Sequence, residues 1–263
     1  MTVFNSVLAT NMSVMLLNLG LIYAGAVLFW LLSIPLRNVA IADVYWGLIF
    51  VLLAWSSFVQ NEYTQRGLLL AVLVSVWGGR LAVYLMLRGM GQPEDRRYRA
   101  MRDIRGDSFW WRSFYVVFGL QAGLGFLIGI PLQMKMAQTD LMWLDVVGVS
   151  LWCFGCFWEF VGDWQLSRFL KNRKDNDVLS SGLWKYTRHP NYFGEACLWV
   201  GLECIALAGG APWWTICSPM LMIFLLLRVS GVTMMEKTIV SRRPNYQAYI
   251  ERTPSFFPWF PRS

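Results

Sequence analysis

The sequence predicts an all-α integral membrane protein, a bundle of seven transmembrane helices, and three observations support this prediction. The chain of 263 residues is 56% hydrophobic and only 15% charged, a composition that soluble globular domains rarely reach. Its apolar segments are long enough to cross a bilayer as helices, which takes roughly 17 to 25 residues each. They also lack the alternation of apolar and polar residues that is typical of transmembrane strands.

The predicted spans follow one another with short connections. The first is too long for a signal peptide and has no cleavage site of the A-x-A type, so we expect a retained helix. No polar linker interrupts the chain, so 1–263 is expected to form a single membrane-embedded domain, with most candidate site residues in 159–263. The seven predicted spans cover about 12–34, 44–60, 67–87, 114–134, 141–162, 191–209 and 213–235.

The basic residues predict the orientation of the chain. Of 23 lysines and arginines, seven lie in 88–112, six in 168–188 and five after 236, whereas the alternate loops hold one or none. By the positive-inside rule these three stretches and the C-terminus are cytoplasmic, and the N-terminus is outside. The net charge of +7 is therefore explained by orientation, and no nucleic-acid partner is expected.

The five cysteines all lie in apolar segments. Cys153 and Cys156 form a CxxC pair, but the pair lies at mid-span without a second pair, and the chain has one histidine. We therefore expect small packing residues here and no metal site.

Each of the three basic stretches contains more than loop residues. In the first, "RRYRAMRDI" is compatible with a short interfacial helix that has Tyr98 and Met101 on one side. The structural interpretation of this stretch is a solvated charged loop that sets the topology, and the functional alternative is the binding of an anionic ligand. In the second, Glu159 and Asp163 share a helix face, with cations one or two turns later. That pattern fits a ligand with hydroxyls and phosphates, and equally an ordinary helix end with snorkelling cations.

The segment "SGLWKYTRHPNYFGE" carries the strongest functional pattern. Pro190 suits the first position of a helix, and Asn191 and Glu195 then share a face of its first turns. The helix N-terminus and nearby cations offer donors, whereas these two side chains offer acceptors for a carboxamide or hydroxyl. An interfacial belt of aromatic residues is the structural alternative. It does not explain a carboxylate beside an apolar run, which is costly and usually functional.

Together with "GDWQLSRFLK" and the C-terminal "MMEKTIVSRRPNYQAYIERTPSFFPWFP", this segment resembles the membrane steroid 5α-reductase family in its bacterial branch, and more distantly the sterol C14 and Δ7 reductases. The resemblance covers approximately the last 105 residues. It extends weakly over the front half through "ADVYWGL", "VWGGRLAVYL", "EDRRYRAMR" and "FWWRS". It implies a seven-helix membrane fold, NADPH bound from the cytoplasmic side, and reduction of a carbon–carbon double bond conjugated to a ketone.

The resemblance also implies which residues bind the cofactor. The family's aspartate on the fifth helix, and its asparagine and acidic residue at the start of the sixth, match Asp163, Asn191 and Glu195. The other cofactor-binding residues that we expect are aromatic and basic residues around them. They are Arg168, Lys171, Trp184, Tyr186, Arg188, His189, Tyr192, Tyr246 and Tyr249.

The family's substrate-polarising pair, a glutamate in the second helix and a tyrosine in the third, is matched less well. Asp43 falls near the glutamate position with Tyr45 two residues on, while Trp77 stands at the tyrosine position and Tyr84 is a later alternative. We expect Asp43, Tyr45 and Tyr84 to include the catalytic residues. Asp43 can donate to a ketone only when protonated, a form that burial at a membrane boundary favours.

Two other functions remain open from the sequence. Isoprenylcysteine-type carboxyl methyltransferases, which use S-adenosylmethionine, share the "RHPxYxG" core, although Asn191, Glu195 and a single Glu236 favour the reductase. A non-enzymatic lipid-binding protein is the other alternative. For the reductase we expect a hydrophobic steroid-like or lipid enone as substrate, contact with membrane lipid, a monomer, and a location in the bacterial inner membrane.

Overall fold

The computed structural model of the chain describes residues 2–137, 140–174, 177–229, 239 and 245–261, with side chains from residue 11 onward. This part of the chain is helical and contains no strand, which confirms the all-α prediction. The α-helices are α1 (Thr2–Leu36), α2 (Ile41–Gln60), α3 (Gln65–Gly89), α4 (Arg96–Arg105), α5 (Phe109–Ser113), α6 (Leu120–Ile128), α7 (Ile130–Gln133), α8 (Trp143–Asn172), α9 (Pro190–Ala208), α10 (Cys217–Phe224) and α11 (Asn245–Arg252).

Within the described residues, five helical segments are long and apolar enough to cross a membrane, and the chain is an integral membrane protein. They correspond to the first five predicted spans and are Asn11–Leu36, Ile41–Gln60, Gln65–Gly89, Arg96–Ile128 and Trp143–Asn172. The sixth predicted span coincides with α9, whose mean hydropathy is lowered by a polar first turn and two glutamates. The seventh corresponds to a shorter apolar helix, Trp213–Val229; the rest of that prediction, 230–235, lies outside the described residues.

The fourth predicted span, 114–134, is not one continuous α-helix. A π-helical segment, Phe114–Gly119, joins α5 to α6, and α6 ends at Ile128. Gly129 and Pro131 follow, and the chain resumes as the short α7. Proline lacks the backbone N–H that would continue the hydrogen-bonding pattern of α6, which accounts for the break.

The described chain divides into two compact units. Unit 1 comprises Met1–Leu141 and Ala206–Thr215, and unit 2 comprises Met142–Ile205 and Ile216–Ser263. The single domain over 1–263 stays a prediction.

In unit 1, α2 and α3 pack closely through a pair of glycines. A Cβ added to Gly47 would lie 2.5 Å from the Gly78 carbonyl oxygen, and one added to Gly78 would lie 2.5 Å from the Gly47 oxygen. Small residues at the contact let two membrane helices approach with their backbones nearly touching. The core of unit 1 contains buried aliphatic and aromatic side chains such as Ile49 and Phe118.

The helix predicted from "RRYRAMRDI" is present as α4, and its interfacial position stays a prediction. Asp95 caps its N-terminus by accepting a hydrogen bond of 2.9 Å from the Arg97 N–H. Tyr98 is buried and Met101 packs against the core of unit 1, so these two residues form the inner face as predicted. Burial alone would raise the pKa of Asp95, but the Arg97 N–H and guanidinium bring that pKa below its ordinary value.

In unit 2, α8 and α9 pack along a seam of glycines spaced seven residues apart. A Cβ on Gly155 would lie 2.5 Å from the Gly194 oxygen, and one on Gly148 would lie 2.7 Å from the Gly201 oxygen. At the end of this seam, a Cβ on Gly162 would lie 3.2 Å from the Asn191 backbone nitrogen. The seam therefore holds the C-terminal half of α8 against the first turn of α9.

Candidate functional site

A buried amide and carboxylate meet where α8 passes the start of α9. Asp163 on α8 is 6% exposed, and the Asn191 Nδ2 donates to its Oδ1 over 3.2 Å. The close approach of Gly162 to Pro190 and Asn191 makes this contact possible. The structure thus brings together two of the three residues that the family pattern indicates most directly.

The oxygen of the Asn191 amide, Oδ1, is the most informative atom of this site. It is shielded from solvent and has no hydrogen-bond partner among the described residues. Leaving a buried acceptor without a donor costs about 1–3 kcal/mol, so such an atom in a folded protein calls for an explanation. Because Asp163 fixes the Nδ2 end, the oxygen is presented in one orientation as an acceptor.

Hydrogen bonds connect the turn at 181–185 to α8. Gly182 has φ +62°, a left-handed conformation that favours glycine. The Leu183 N–H donates to the Gln165 Oε1 over 3.0 Å, and the indole N–H of Trp184 donates to the Gly162 carbonyl over 3.1 Å. The Tyr249 hydroxyl in turn donates to the Trp184 carbonyl. Gln165 was not predicted, and only its spacing one helical turn beyond Gly162 could have suggested it.

Arg188 binds the C-terminal segment. It is 7% exposed, and its Nη1 donates to the carbonyls of Ile250, over 3.0 Å, and Thr253. The Arg188 N–H donates to the Pro254 carbonyl over 2.9 Å, and the Thr187 hydroxyl donates to the Phe256 carbonyl over 2.9 Å. These contacts use much of the guanidinium for protein carbonyls, so its predicted role in cofactor binding stays a prediction.

Removing the Arg188 guanidinium is expected to release the C-terminal segment. In Arg188→Met two buried carbonyls lose a charged donor, and a hydrogen bond to a charged group is worth about 1.5–3 kcal/mol. We expect a lower melting temperature in detergent and faster proteolysis after residue 252. Lys185→Met, which removes an exposed cation three residues earlier, is the control. Equal melting temperatures and cleavage rates for the two variants would contradict the anchoring role.

The remaining aromatic candidates pack against their neighbours. The rings of His189 and Tyr192 are stacked, 5.4 Å apart and 1° from parallel, and His189 is 2% exposed. The Tyr186 carbonyl accepts a 2.9 Å hydrogen bond from the Trp259 N–H. Tyr246 and Tyr249 are both buried on α11, with ring centroids 5.5 Å apart. Glu195, half-buried, lies one turn beyond Asn191.

A basic cleft of about 370 Å³ lies beside the C-terminal end of α8. Arg168 lines it, with its guanidinium 5.7 Å from the Trp164 ring. The predicted Lys171 is exposed but is not among the lining residues, whereas Arg173, which was not predicted, is. Arg173 lies directly after the last residue of α8. The prediction included only cations on one face of this helix, up to Lys171, and therefore did not include Arg173.

In unit 1, Asp43 is surrounded by donors. It accepts hydrogen bonds from the Arg97 guanidinium over 2.9 Å, from the Tyr98 hydroxyl and from the Gln121 Nε2 over 3.3 Å. These donors hold Asp43 as a hydrogen-bond acceptor and ion-pair partner. The protonated, donating Asp43 that the sequence suggested would have to give up part of this arrangement.

The other two catalytic candidates are engaged elsewhere in unit 1. Tyr45 is 2% exposed, its hydroxyl donates to the Ile22 carbonyl and its ring stacks on Phe29 at 4.7 Å. The Tyr84 ring lies under the Arg80 guanidinium, with 5.3 Å to the ring centroid. The phenol that contacts Asp43 is Tyr98 on α4. Sequence reasoning placed Tyr98 on the inner face of that helix but did not connect it to Asp43.

No group of three or more histidines, cysteines, aspartates and glutamates within the described residues is arranged to hold a metal ion.

The chain is a helical integral membrane protein with a polar site where α8 passes the start of α9. The chain belongs to the family described as "Protein of unknown function (DUF1295)", whose model matches residues 29–253. It is a family of membrane proteins similar to the steroid 5α-reductases.

Two relatives are named for metal resistance. The cobalt-zinc-cadmium resistance protein CzcN of Cupriavidus metallidurans is 26% identical over 118 residues, 45% of this chain and 49% of that protein. The nickel-cobalt-cadmium resistance protein NccN of Alcaligenes xylosoxydans xylosoxydans is 26% identical over 123 residues, 46% of this chain and 55% of that protein. The chain thus spans about half the length of these relatives. No solved structure matches it.

Proposed function

We propose that this protein is an NADPH-dependent membrane reductase of the steroid 5α-reductase type, which reduces the carbon–carbon double bond of a hydrophobic enone such as a 3-oxo-Δ4-steroid. The observation that carries the proposal is the buried Asn191 Oδ1 without a partner, held in place by Asp163. A carboxamide NH₂ group, which the nicotinamide ring carries, is a donor that suits this acceptor.

The residues of unit 2 fit the cofactor in two further respects. Arg168 and Arg173 line a cleft beside α8, and guanidinium groups suit phosphate oxygens. Arg168 lies five residues beyond Asp163, about 7.5 Å along the helix axis, a distance within the length of a dinucleotide. The Trp184 side chain, fixed through its indole N–H, contributes to the rigid surroundings of the pair.

When bound, NADPH supplies a hydride to the β-carbon of the enone, and the chemistry of that transfer belongs to the cofactor. The chain has to orient the nicotinamide, exclude water and stabilise negative charge on the ketone oxygen. Asn191 and Asp163 orient the carboxamide. For the oxygen, Asp43 remains the proposed acid. Because Tyr98 donates to Asp43, Tyr98 joins Tyr45 and Tyr84 as a phenol to be tested by substitution.

We also propose seven transmembrane helices, with α9 and the helix beginning at Trp213 as the sixth and seventh, the N-terminus outside and the C-terminus cytoplasmic. The distribution of lysine and arginine supports this orientation. The half-buried Glu195 and the buried Glu203 lower the hydropathy of α9, but its glycine seam with the apolar α8 supports a membrane position. The bacterial inner membrane is the proposed location.

Titration of the purified protein in detergent with NADPH, NADH and S-adenosylmethionine tests the cofactor class. We expect quenching of tryptophan fluorescence by NADPH that saturates, and none by S-adenosylmethionine. Binding of S-adenosylmethionine without NADPH would replace the reductase by a methyltransferase. Binding of neither would favour a non-enzymatic lipid-binding protein.

The substrate class is tested with membranes that contain the protein. NADPH consumption is followed with testosterone, progesterone and non-steroidal enones, and the reduced products are identified by mass spectrometry. Consumption that depends on an enone supports the proposal.

A further inference from the structure

A cavity of about 630 Å³ lies in unit 1. It is formed where α1 ends, α2 is about to begin, and the chain passes from α4 to α5. This volume is within the range of ligand pockets. The lining combines both charges with an aromatic ring and buried hydroxyls, and it includes Ser33, Arg37, Arg102, Asp103, Asp107, Trp110 and Ser113.

The charges in this cavity are only partly paired, since Arg102 interacts electrostatically with Asp103 as well as with Glu94. Arg102 is bound to Glu94 by two hydrogen bonds of 2.8 and 2.9 Å, so its charge is compensated. Within the described part of the chain, no carboxylate is within ion-pair distance of Arg37, and no cation is within that distance of Asp103 or Asp107. The cavity therefore offers one cation, Arg37, and two carboxylates, Asp103 and Asp107, that are exposed and form no ion pair within the described residues. A ligand with a phosphate and an ammonium group complements this set.

The cavity lies at the level where a membrane span ends. The first candidate span terminates at Leu36, which is 60% exposed, directly before Arg37. Trp110 is 54% exposed, and its carbonyl accepts a 2.8 Å hydrogen bond from the Trp30 indole N–H. Tryptophans gather where the hydrocarbon meets the headgroups. The charged lining is thus continuous with a surface that faces lipid chains.

The deepest polar groups of the cavity are fixed. Ser33 is 3% exposed and its hydroxyl donates to the Trp30 carbonyl over 2.7 Å. Ser113 is 1% exposed and its hydroxyl donates to the Trp110 carbonyl over 2.9 Å. Each hydroxyl oxygen therefore remains an acceptor at the floor. A donor-rich group suits that floor better than a second anion.

We propose that this cavity binds the headgroup of a phosphoethanolamine phospholipid. Arg37 contacts the phosphate, Asp103 and Asp107 accept from the ammonium group, and the acyl chains lie along the exposed apolar side of α1 and Trp110. The headgroup of phosphatidylglycerol has no cation for the two aspartates. The trimethylammonium of phosphatidylcholine has a cation but no N–H to donate.

The test uses the full-length protein in detergent and native mass spectrometry with three lipids of identical acyl chains. We expect phosphatidylethanolamine to bind roughly tenfold more tightly than phosphatidylcholine or phosphatidylglycerol, the ratio that about 1.4 kcal/mol of added hydrogen bonding gives. Equal binding of the three lipids overturns the proposal. Soluble phosphoethanolamine is the fourth ligand, and competition by it at the same concentration as the lipid would assign the cavity to a soluble ligand instead.

Variants test the contact with the phosphate and the contact with the ammonium group separately. Asp103→Asn with Asp107→Asn should abolish the preference for ethanolamine over choline, whereas Arg37→Gln should weaken both lipids about equally, because both carry the phosphate. Arg96→Gln, an exposed cation on α4 outside the lining, should change neither. Unchanged preference in the double variant overturns the assignment. The comparison of lipids on the unmodified protein stands even if a variant fails to fold, and neither measurement depends on NADPH binding.

Discussion

Asn191→Leu is expected to weaken NADPH binding by roughly 10- to 100-fold, because a ligand amide that loses its buried acceptor costs about 1–3 kcal/mol. Leucine has the same number of side-chain heavy atoms and the same branching as asparagine, so it is the closest apolar replacement, although its methyl groups are bulkier than the amide. The dissociation constant is measured by fluorescence titration. The melting temperature without ligand should change little, because the variant removes both a buried acceptor that has no partner and the Nδ2 hydrogen bond to Asp163, and these two effects oppose each other.

Asp163 provides the second half of this experiment. Asp163→Asn keeps an oxygen that can accept from the Asn191 Nδ2, whereas Asp163→Leu does not, so we expect the leucine variant to lose more affinity. Gln247→Leu is the matched control, because Gln247 also donates to a carboxylate, that of Glu251 over 3.3 Å, but on the exposed side of α11. If Gln247→Leu weakened NADPH binding as much as Asn191→Leu, the special role of the buried amide would be wrong.

The part of the site that could be predicted is the part encoded over short distances along the chain. Asn191 and Glu195 share a face because they are one turn apart, and Glu159 and Asp163 do so for the same reason. That Asp163 faces Asn191 came from the family resemblance. The sequence contains a physical cause, the glycines spaced seven residues apart on α8 and α9, but such a pattern indicates a close contact without naming its partner helix.

The roles of Arg188 and Tyr249 could not be predicted, because their partners lie more than 60 residues away. Arg188 binds the carbonyls of Ile250 and Thr253, and Tyr249 binds that of Trp184. Backbone carbonyls carry no sequence code, since every residue has one. From the sequence alone, a basic or phenolic side chain near a binding motif is therefore easily assigned to a ligand. For Arg188 and Tyr249, the partner is instead the protein's own main chain.

The fold also divides into features that local sequence predicts and features that depend on contacts between distant residues. The amphipathic α4 and the five long spans were predictable because periodicity and hydropathy are local properties. Asp43 shows the limit: its donors come from α4 and α6, at sequence separations of 54 to 78 residues. A carboxylate at the start of a membrane helix predicts some partner, but its identity depends on how the helices pack.

Hydrogen-bond satisfaction separates the two kinds of polar residue in unit 2. Trp184 and Arg188 donate to protein carbonyls and stabilise the fold of the segment around them. The Asn191 Oδ1 is shielded from water and has no partner within the described chain. Without ligand, this unpaired acceptor lowers the stability of the folded protein. A ligand that donates a hydrogen bond to it regains that free energy. Candidate residues in related chains can be ranked by the same comparison.

Gly78→Ala is expected to destabilise the protein strongly. The new Cβ would lie 2.5 Å from the Gly47 carbonyl oxygen and 3.0 Å from the Val51 Cγ2, and the first of these neighbours is backbone that cannot rotate away. Forcing a methyl group into such a contact typically costs about 1–3 kcal/mol. We expect a clear fall in the melting temperature in detergent, with a larger fall for Gly78→Leu.

The adjacent Gly79 is a matched control in the same helix. A Cβ added there meets nothing within 4 Å, and alanine favours the helix over glycine by up to about 1 kcal/mol, so Gly79→Ala should leave the melting temperature unchanged or raise it. Both variants change helix propensity equally, and the difference between them therefore measures the α2–α3 contact alone. A Gly78→Ala protein as stable as Gly79→Ala would mean that α2 and α3 do not approach each other through Gly47.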